Sequence, residues 1–414
     1  MAKVLVVGGG GREHAIVHAI SKSPKVEKIY AAPGNAGIAN LAECLNIKDT
    51  ETDKIVDFAK ENAIDLVVVG PEASLALGII DKLRAAGINA FGPTKAAAQI
   101  EASKNFAKDL MAKYNVPTAG YKVFNKYDEA IAYVKETGAP IVIKYDGLAA
   151  GKGVVVAMTI EEADEALKDM LLDDKFGHGK VVIEEYLEGP EFSFMCFVNG
   201  TNVYPLEMAQ DHKRAYDGDK GPNTGGMGAY SPLPFITNED YEYAMNKIMI
   251  PVAKAMVKEG CPFTGVLYGG LMKTKRGIKV IEFNARFGDP ETEVVLPRLT
   301  SDIYDAFMAI VKGEAPVLTW NKEFTIGIVL ASKGYPGDYK KGYEILGADQ
   351  PHIYHMGTKR ENGKVYTNGG RVLFAVASGA TLEEANKKAN ALVDTIKCDN
   401  LFHRTDIGAK AYRK

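Results

Sequence analysis

Three apolar runs in the first hundred residues, Val4–Val7, Lys28–Ala32 and Leu66–Val69, each end at glycine. The endings are Gly8–Gly11, Pro33-Gly34-Asn35-Ala36-Gly37 and Gly70-Pro71-Glu72. Helical patterns over Glu13–Ser21, Thr52–Asn62 and Leu75–Ala86 separate the runs, and Ala90-Phe91-Gly92-Pro93 follows the last. Strand–helix alternation at this spacing predicts an open parallel sheet covered by helices. Ligands of such sheets sit beyond the carboxyl ends of the strands, where the glycines are. Gly10, Gly11, Arg12 and Glu13 open a helix after a strand, which makes an anion site, best suited to a phosphate monoester. A dinucleotide fingerprint fails: Glu13 takes the third glycine position, and the second strand ends Ala31-Ala32-Pro33 without an acid for a ribose. His14 and His18 are four apart but lack the glutamate of a zinc-protease helix, so His18 reads as structural or exposed.

Composition narrows the class. At 414 residues the chain is long enough for about three domains of roughly 150 residues. Its 46% apolar and 25% charged residues are those of an ordinary globular protein. A net charge of −3 gives no field for nucleic acid or an anionic membrane. Cys44, Cys196, Cys261 and Cys398 are scattered, which argues against a disulfide framework or zinc ribbon and fits a reducing cytoplasm. No signal peptide, no apolar stretch of the ~20 residues that span a bilayer and no further fused domain are expected.

From about Lys95 the pattern changes. A helix through Lys104–Tyr114 precedes a compact unit: strand Tyr121–Phe124, helix Asp128–Glu136, strand Ile141–Tyr145, strand Val154–Ala157, helix Glu161–Leu171 and strand Val181–Tyr186. Gly147, Gly151 and Gly153 connect two antiparallel strands, with Lys144 and Lys152 beside them. This predicts a flap whose N–H groups cover a nucleotide's phosphates. It is not a Walker loop, because the spacing is one short and Gly153 replaces the Ser/Thr. Val181–Tyr186 ends in acids before Gly189-Pro190 and suits a hinge. Backbone near Glu185 and Leu187 could read a base and Glu191 a ribose; equally, the acids could be surface residues. Strands near Phe192–Val198 and Thr201–Leu206, a long loop over Gln210–Pro232 and a helix from Glu239 to Glu259 follow. The loop carries Asp211, His212, Lys213 and Arg214, either an anion site or a solvated basic turn. The second part closes near Leu318. The rest mixes strands (Thr325–Ala331, Arg371–Ala377) with one amphipathic helix whose Leu382, Ala385, Ala389, Leu392, Val393 and Ile396 are core.

Residues 280–293 carry the most chemistry. Val280, Ile281 and Phe283 read as a strand, and Glu282, Asn284 and Arg286 share one parity, so all three are expected on one face. A carboxylate and an amide oxygen suit a hard divalent cation that keeps positions open for phosphates. A guanidinium beside them can grip phosphate bidentately. Gly288-Asp289-Pro290-Glu291 then turns, offering two more acids.

Together these segments resemble the phosphoribosylamine–glycine ligase family of ATP-grasp enzymes. The resemblance runs through Gly-Gly-Arg-Glu-His at 10–14, Pro-Gly-Asn-Ala-Gly at 33–37, Val-Gly-Pro-Glu at 69–72, Asp-Gly-Leu-Ala-Ala-Gly-Lys-Gly at 146–153, Gln-Asp-His-Lys-Arg at 210–214, Gly-Pro-Asn-Thr-Gly-Gly-Met-Gly at 221–228 and Arg-Phe-Gly-Asp-Pro-Glu-Thr-Glu at 286–293. Tyr145 and Ala285 depart from the family pattern, where a small residue and a cysteine are expected.

The resemblance implies an α/β protein with three domains: an N-terminal open parallel domain (1–101), an ATP-grasp α+β domain (102–318, lid about 117–188) and a C-terminal mixed α/β domain (319–414). It implies ATP-dependent ligation of glycine to 5-phosphoribosylamine through a glycyl phosphate, in purine biosynthesis. Arg286, Lys144 and Lys152 would be catalytic, and Glu282 and Asn284 would hold Mg2+ or Mn2+. Lys104, Lys144, Gly151, Lys152, Gly153, Glu184, Glu185, Leu187 and Glu191 would bind ATP. Gly10, Gly11, Arg12, Glu13, Asn35 and Glu72 would hold the ribosyl phosphate. Asp211, Lys213, Arg214, Thr224, Gly225, Gly226, Asp289, Pro290 and Glu291 would complete the acceptor and glycine pockets. The implied enzyme is a cytoplasmic monomer of small-molecule substrates, without nucleic acid or membrane. A sibling carboxylate–amine ligase would differ at Arg12-Glu13, Asp211–Arg214 and Asp289–Glu291. A dinucleotide-dependent oxidoreductase is disfavoured by the missing ribose acid, and a non-catalytic nucleotide module by the retained metal-side oxygens and arginine.

Overall fold

In the computed structural model, which describes residues 1–147, 153–173 and 179–412, the N-terminal run builds one parallel sheet. Its elements are β1 (Ala2–Gly8), α1 (Gly11–Ile20), β2 (Val26–Pro33), β3 (Glu43–Cys44), α2 (Thr52–Glu61), β4 (Leu66–Val69), α3 (Glu72–Ala76), α4 (Ile79–Ala85) and β5 (Ala90–Phe91). The strand order is β3-β2-β1-β4-β5, and Val4, Leu5, Val6 and Val7 are fully buried between covering helices. The helix expected over Leu75–Ala86 is two, because Gly78 adopts a left-handed φ of +80° between α3 and α4.

Helices α5 (Lys95–Ala102) and α6 (Lys104–Lys113) lead into a small lid. The lid contains β6 (Tyr121–Phe124), α7 (Tyr127–Thr137), β7 (Ile141–Tyr145), β8 (Val154–Ala157), α8 (Ile160–Leu171) and β9 (Val181–Glu185), with strand order β6-β9-β7-β8, all antiparallel. Its own apolar cluster packs α7 and α8 on one sheet face, including Ala130, Val134, Ile143, Ala163 and Leu167.

A second antiparallel sheet forms the floor opposite the lid. Its strands are β10 (Glu191–Asn199) and β11 (Asn202–Pro205), joined by two strands described below. The segment expected as a 210–232 loop is mostly paired backbone: β12 (Gln210–Asp211), β13 (Arg214–Tyr216), β14 (Lys220–Asn223) and β15 (Gly228–Ser231). Strands β13 and β14 form a hairpin. Helix α9 (Asn238–Ala244), a π turn at Met245–Met249 and α10 (Ile250–Lys258) replace the single helix expected from Glu239 to Glu259. The π turn falls just before Pro251, which has no N–H to donate to an ordinary α ladder. The long strands β16 (Thr264–Thr274) and β17 (Gly277–Asn284) complete the floor in the order β11-β10-β16-β17, and β16 was not anticipated from sequence.

After α11 (Thr292–Val295) and α12 (Ile303–Lys312) come β18 (Phe324–Ser332), β19 (Glu344–Ile345), β20 (Ile353–His355), β21 (Thr358–Glu361), β22 (Lys364–Thr367), β23 (Arg371–Gly379), α13 (Leu382–Thr395) and β24 (Leu401–Phe402). One sheet runs β12-β15-β18-β23-β20, with β24 also on β18. It therefore joins the 210–232 segment to the C-terminal strands about a hundred residues later. The cleft lies between lid, floor, the glycine-rich ends of β1, β2 and β4, and this sheet.

Candidate active site

Strand β17 delivers the central donors by a route the alternation did not show. Its register with β16 slips from Leu271↔Val280 to Gly270↔Glu282, leaving Ile281 as the extra residue of a bulge. Ile278 and Val280 face the core before the bulge, Phe283 and Ala285 after it. Glu282 and Asn284 thus point together into the cleft, whereas Arg286 lies past the strand end. Burial alone would raise the Glu282 carboxyl. Lys213, Lys144, Lys104 and Arg286 outweigh it and hold the group below the ordinary carboxylate range. Among the described residues no group of three His, Cys, Asp or Glu could hold a metal. Two hard oxygens from Glu282 and Asn284 fit a divalent ion that takes its remaining ligands from phosphate and water.

On the lid side, Lys104 Nζ donates to Gly147 O (3.1 Å) and Lys144 Nζ to Ile281 O (2.8 Å), tying lid and floor to the bulge. Tyr145 N donates to Gly153 O (2.8 Å), so Gly153 lies where the flap returns to the sheet. Gly151 and Lys152 lie outside the described residues. The Tyr145 ring packs against Gly147, where an added Cβ would meet it at 3.0 Å. Glu184 sits 3.0 Å from Lys144. Leu187 packs with Ala119, Met272 and Ile281 in a small buried apolar cluster. The Glu185 side chain is committed elsewhere, to Arg276 and to Lys279 at 3.5 Å. Only its backbone stays a candidate for base recognition. Glu191 lies at the start of β10, 3.7 Å from Lys213.

The acceptor side is dominated by carboxylates. Two of the N–H groups at the start of α1, expected to be open to phosphate, already have partners. Gly10 N donates to Glu13 Oε2 (2.7 Å) and Arg12 N to Asp289 Oδ2 (3.4 Å). Buried Arg12 is spent inward on Glu13 Oε1 (2.6 Å) and Phe287 O (3.1 Å). Gly11 approaches Glu293, whose Oε1 lies 2.5 Å from where a Cβ would stand. Asn35 donates to Gly9 O and His355 O and accepts from Gly37 N and Ile38 N, so its amide braces the loop and has nothing left for a ligand. Glu72 lies 3.3 Å from Arg286, whose other partner is Glu101 at 2.9 Å. The arginine expected to be free for phosphate is therefore held between two acids.

The remaining acceptor residues divide. Asp211, Glu291 and Lys213 face the cleft. Burial pushes the Asp211 carboxyl up to about 7, opposed by Lys213 and reinforced by Glu291 and Glu191. Glu291 Oε1 receives hydrogen bonds from Ser193 Oγ and Tyr268 Oη, each at 2.8 Å. Arg214 turns away into its hairpin, donating to Gly221 O. The Thr224 hydroxyl closes its own loop, donating to Lys213 O and accepting from Gly226 N. Gly226, at φ +113°, packs on Pro290, which a Cβ would meet at 2.5 Å. Gly225 O and Asp289 O both accept from Arg371 Nη1, and Asp289 Oδ1 pairs with Arg371 Nη2 at 3.0 Å.

Four buried or clamped groups were not singled out from sequence: Glu101, Lys108, Glu293 and Arg371. Glu101 sits in an alanine-rich helix and accepts from Ala285 N (2.8 Å) as well as pairing with Arg286. Its one signal was an acid two residues before Ser103-Lys104. Glu293 is fully buried beside Asp289. Burial, with Asp289 beside it, pushes its carboxyl well up.

Family models of phosphoribosylglycinamide synthetase match the chain in three stretches: the N domain over residues 2–101, the ATP-grasp (A) domain over 102–292 and the C domain over 325–410. A phosphoribosylamine–glycine ligase of Halalkalibacterium halodurans is 54% identical over 414 residues, covering 99% of this chain and 97% of its own. One of Listeria monocytogenes is 54% identical over 418 residues, covering 99% of each. The crystal structure of the Thermotoga maritima phosphoribosylamine–glycine ligase superposes with a TM-score of 0.87 at 34% identity, over 98% of this chain and 100% of that one. The biotin carboxylase domain of a Hydrogenobacter thermophilus 2-oxoglutarate carboxylase shares the fold, with a TM-score of 0.74 at 18% identity over 97% and 91% of the two chains. The lid, the two-oxygen strand and the glycine-rich parallel sheet thus stand in a known arrangement, and the chain belongs to the phosphoribosylglycinamide synthetase family of ATP-grasp ligases.

Proposed function

We propose that this protein joins glycine to 5-phosphoribosylamine with cleavage of ATP to ADP and phosphate, giving glycinamide ribonucleotide for purine synthesis. The observation that carries this reading is the unequal charge of one cleft. Lys104, Lys144 and Lys213 surround Glu282 on the nucleotide side, while Asp211, Glu291, Asp289 and Glu13 line the other. A triphosphate belongs with the lysines, and two amine substrates belong with the acids.

The glycine carboxylate attacks the γ-phosphorus, a P–O bond forms, and the bond to the β-phosphate oxygen breaks as ADP leaves. The ribosylamine nitrogen then attacks the acyl carbon, the acyl C–O bond breaks, and phosphate departs as the nitrogen loses a proton. No protein nucleophile is needed; positioning and charge neutralisation dominate such transfers. A divalent ion, Mg2+ or Mn2+, held by Glu282 and Asn284 would neutralise charge developing on the phosphate oxygens. Lys144 and Lys104 brace the flap over the nucleotide, with Gly151, Lys152 and Gly153 proposed to cover its phosphates and the apolar cluster around Leu187 to lie against its base. Glu191 stands where a ribose would lie. Asp211 and Glu291 suit the glycine ammonium. Glu13, Glu72 and Asp289 present carboxylate oxygens, with Arg12 turned inward onto Glu13, which suits the ribosyl hydroxyls and amine better than the phosphate. Arg286, between the halves, is proposed to face the transferred phosphoryl group. A lid closed over the cleft would keep water from the acyl phosphate.

The domain limits 1–101, 102–318 and 319–414 and a monomeric, cytoplasmic enzyme of small molecules are part of the same proposal. The net charge of −3 supports the lack of nucleic-acid partners. No helix among the described residues is long and apolar enough to cross a membrane. ADP formation measured with glycine and phosphoribosylamine, each omitted in turn, tests the reaction. ADP release that ignores glycine would refute it.

A further inference from the structure

A lysine outside the expected site is buried at the floor of the nucleotide side. Lys108, on α6, is 2% exposed. Its Nζ lies 3.0 Å from Glu184 Oε2 and donates to Thr118 Oγ1 at 2.8 Å, and Thr118 in turn donates to Val280 O. It also stands 5.6 Å above the Tyr121 ring. The other Glu184 oxygen, Oε1, lies 3.0 Å from Lys144 Nζ yet receives no hydrogen bond among the described residues. Lys144 instead donates to Ile281 O, beside the two metal-side residues. Two ammonium groups thus share the Glu184 carboxylate in a region closed to solvent, so one of the two charges, that of Lys144, is turned toward Glu282 and the ligand side rather than spent on Glu184. An uncompensated buried charge is costly. A ligand anion relieves that cost, whereas a neutral Lys144–Glu184 pair would attract no phosphate beyond short range.

We propose that Lys108 is a positioning residue for the nucleotide: by neutralising Glu184 it leaves the charge of Lys144 free to act on the triphosphate. The inference rests on the nucleotide reading given above and assigns a role to a side chain that touches no substrate. Three features favour it over plain packing. The tip of Lys108 is held by three oriented groups: Glu184, Thr118 and the Tyr121 ring. The Thr118 bridge connects it to β17, the strand that carries Glu282 and Asn284. Burial lowers the ammonium to about 8, opposed chiefly by Glu184, so it remains charged at neutral pH.

The test is calorimetric binding of the magnesium complex of a β,γ-imido ATP analogue, with uncharged adenosine as a second probe, to full-length protein. Lys108→Met should weaken the analogue on the order of tenfold or more and leave adenosine within about twofold, since only the phosphates sense the charge. Lys108→Met combined with Glu184→Gln restores the unneutralised Lys144 and should regain most of the analogue affinity; Lys108→Arg should match the parent protein. Thermal unfolding of each variant separates misfolding from lost charge. Unchanged analogue binding by Lys108→Met overturns the proposal. So does a loss shared equally by adenosine and not regained in the double variant, because that is the signature of packing. If the parent protein itself ignores the analogue, the nucleotide reading fails and the role of Lys108 falls with it.

Discussion

Gly70→Ala is a sharp test of how the acceptor side is built. An added Cβ would stand 1.9 Å from Glu13 Oε1, 2.7 Å from its Cδ and 2.9 Å from its Cγ. The same carboxyl already lies close against Gly8 on β1, where even a Cβ would stand 2.6 Å from its Cδ, so both strands are fitted around it. To reach ordinary contact near 3.4 Å the carboxylate must move by roughly 1.5 Å. That displacement breaks two charge-assisted contacts, from Gly10 N at 2.7 Å and from Arg12 Nε at 2.6 Å. Hydrogen bonds to charged groups contribute about 1.5–3 kcal/mol each, and stranding buried Arg12 adds to the loss. The smaller unfolded-state entropy of alanine offsets only ~0.4–1 kcal/mol. The steric term wins, and the variant should be destabilised by ~2–4 kcal/mol. Denaturant midpoints should be compared with Gly120→Ala, whose added Cβ would meet nothing closer than Glu185 at 3.9 Å. The same protein should show a raised KM for phosphoribosylamine with a nearly unchanged KM for ATP. Gly70→Ala matching the Gly120→Ala control in both midpoint and KM would refute the account of Glu13.

Glu282→Gln should abolish glycine-dependent ADP formation while leaving the melting temperature within about 2 °C, as read by coupled assay and calorimetry. Glu101→Gln should lower kcat/KM on the order of tenfold or more, because Arg286 loses its closer, buried partner; steady-state kinetics against both amine substrates would show it. Asp211, pushed up to about 7, is protonated below that pH and a carboxylate above it. A protonated acid attracts the glycine ammonium poorly, so KM for glycine should rise by about tenfold per unit as pH falls below 7, and Asp211→Asn should flatten that limb.

The apolar runs that set β1, β2, β4, β7 and β9 were legible because each strand is buried and short, and its sequence says so locally. What was not legible depended on partners far along the chain. The bulge at Ile281 arises from the register of β17 on β16, and it moves the core face from Ile278 and Val280 to Phe283 and Ala285, a switch that no local alternation announces. The 210–232 segment looks like a loop because β12 and β15 are short; β15 becomes a strand by pairing onto β18, and β12 by pairing onto β15. Lys108 reads as one more charged residue on an amphipathic helix, and only the approach of β9 turns it inward onto Glu184. Asn35 and Thr224 were read correctly as loop residues, but their polar groups are consumed within the protein. A motif shows which residues occur together; it does not show which of them still have a free lone pair.

This distinction bears on how a cleft with so many acids can bind a triphosphate. Summed blindly, Glu13, Glu72, Glu101, Glu184, Asp211, Glu282, Asp289 and Glu291 would repel it. In place, most of their charge is already answered: Glu13 by Arg12, Glu72 and Glu101 by Arg286, Glu184 by Lys108, and Asp289 by Arg371. On the nucleotide side Glu282 stands among Lys213, Lys144, Lys104 and Arg286, an excess of positive charge that suits phosphates and their divalent ion. On the other side Asp211, Glu291 and Glu191 stand against a single lysine, Lys213, an excess of negative charge that suits an amine. The pairing of side chains with one another, more than their number, therefore sorts phosphate from ammonium across a narrow cleft. It also explains why removing a cation that touches no substrate should cost affinity for one.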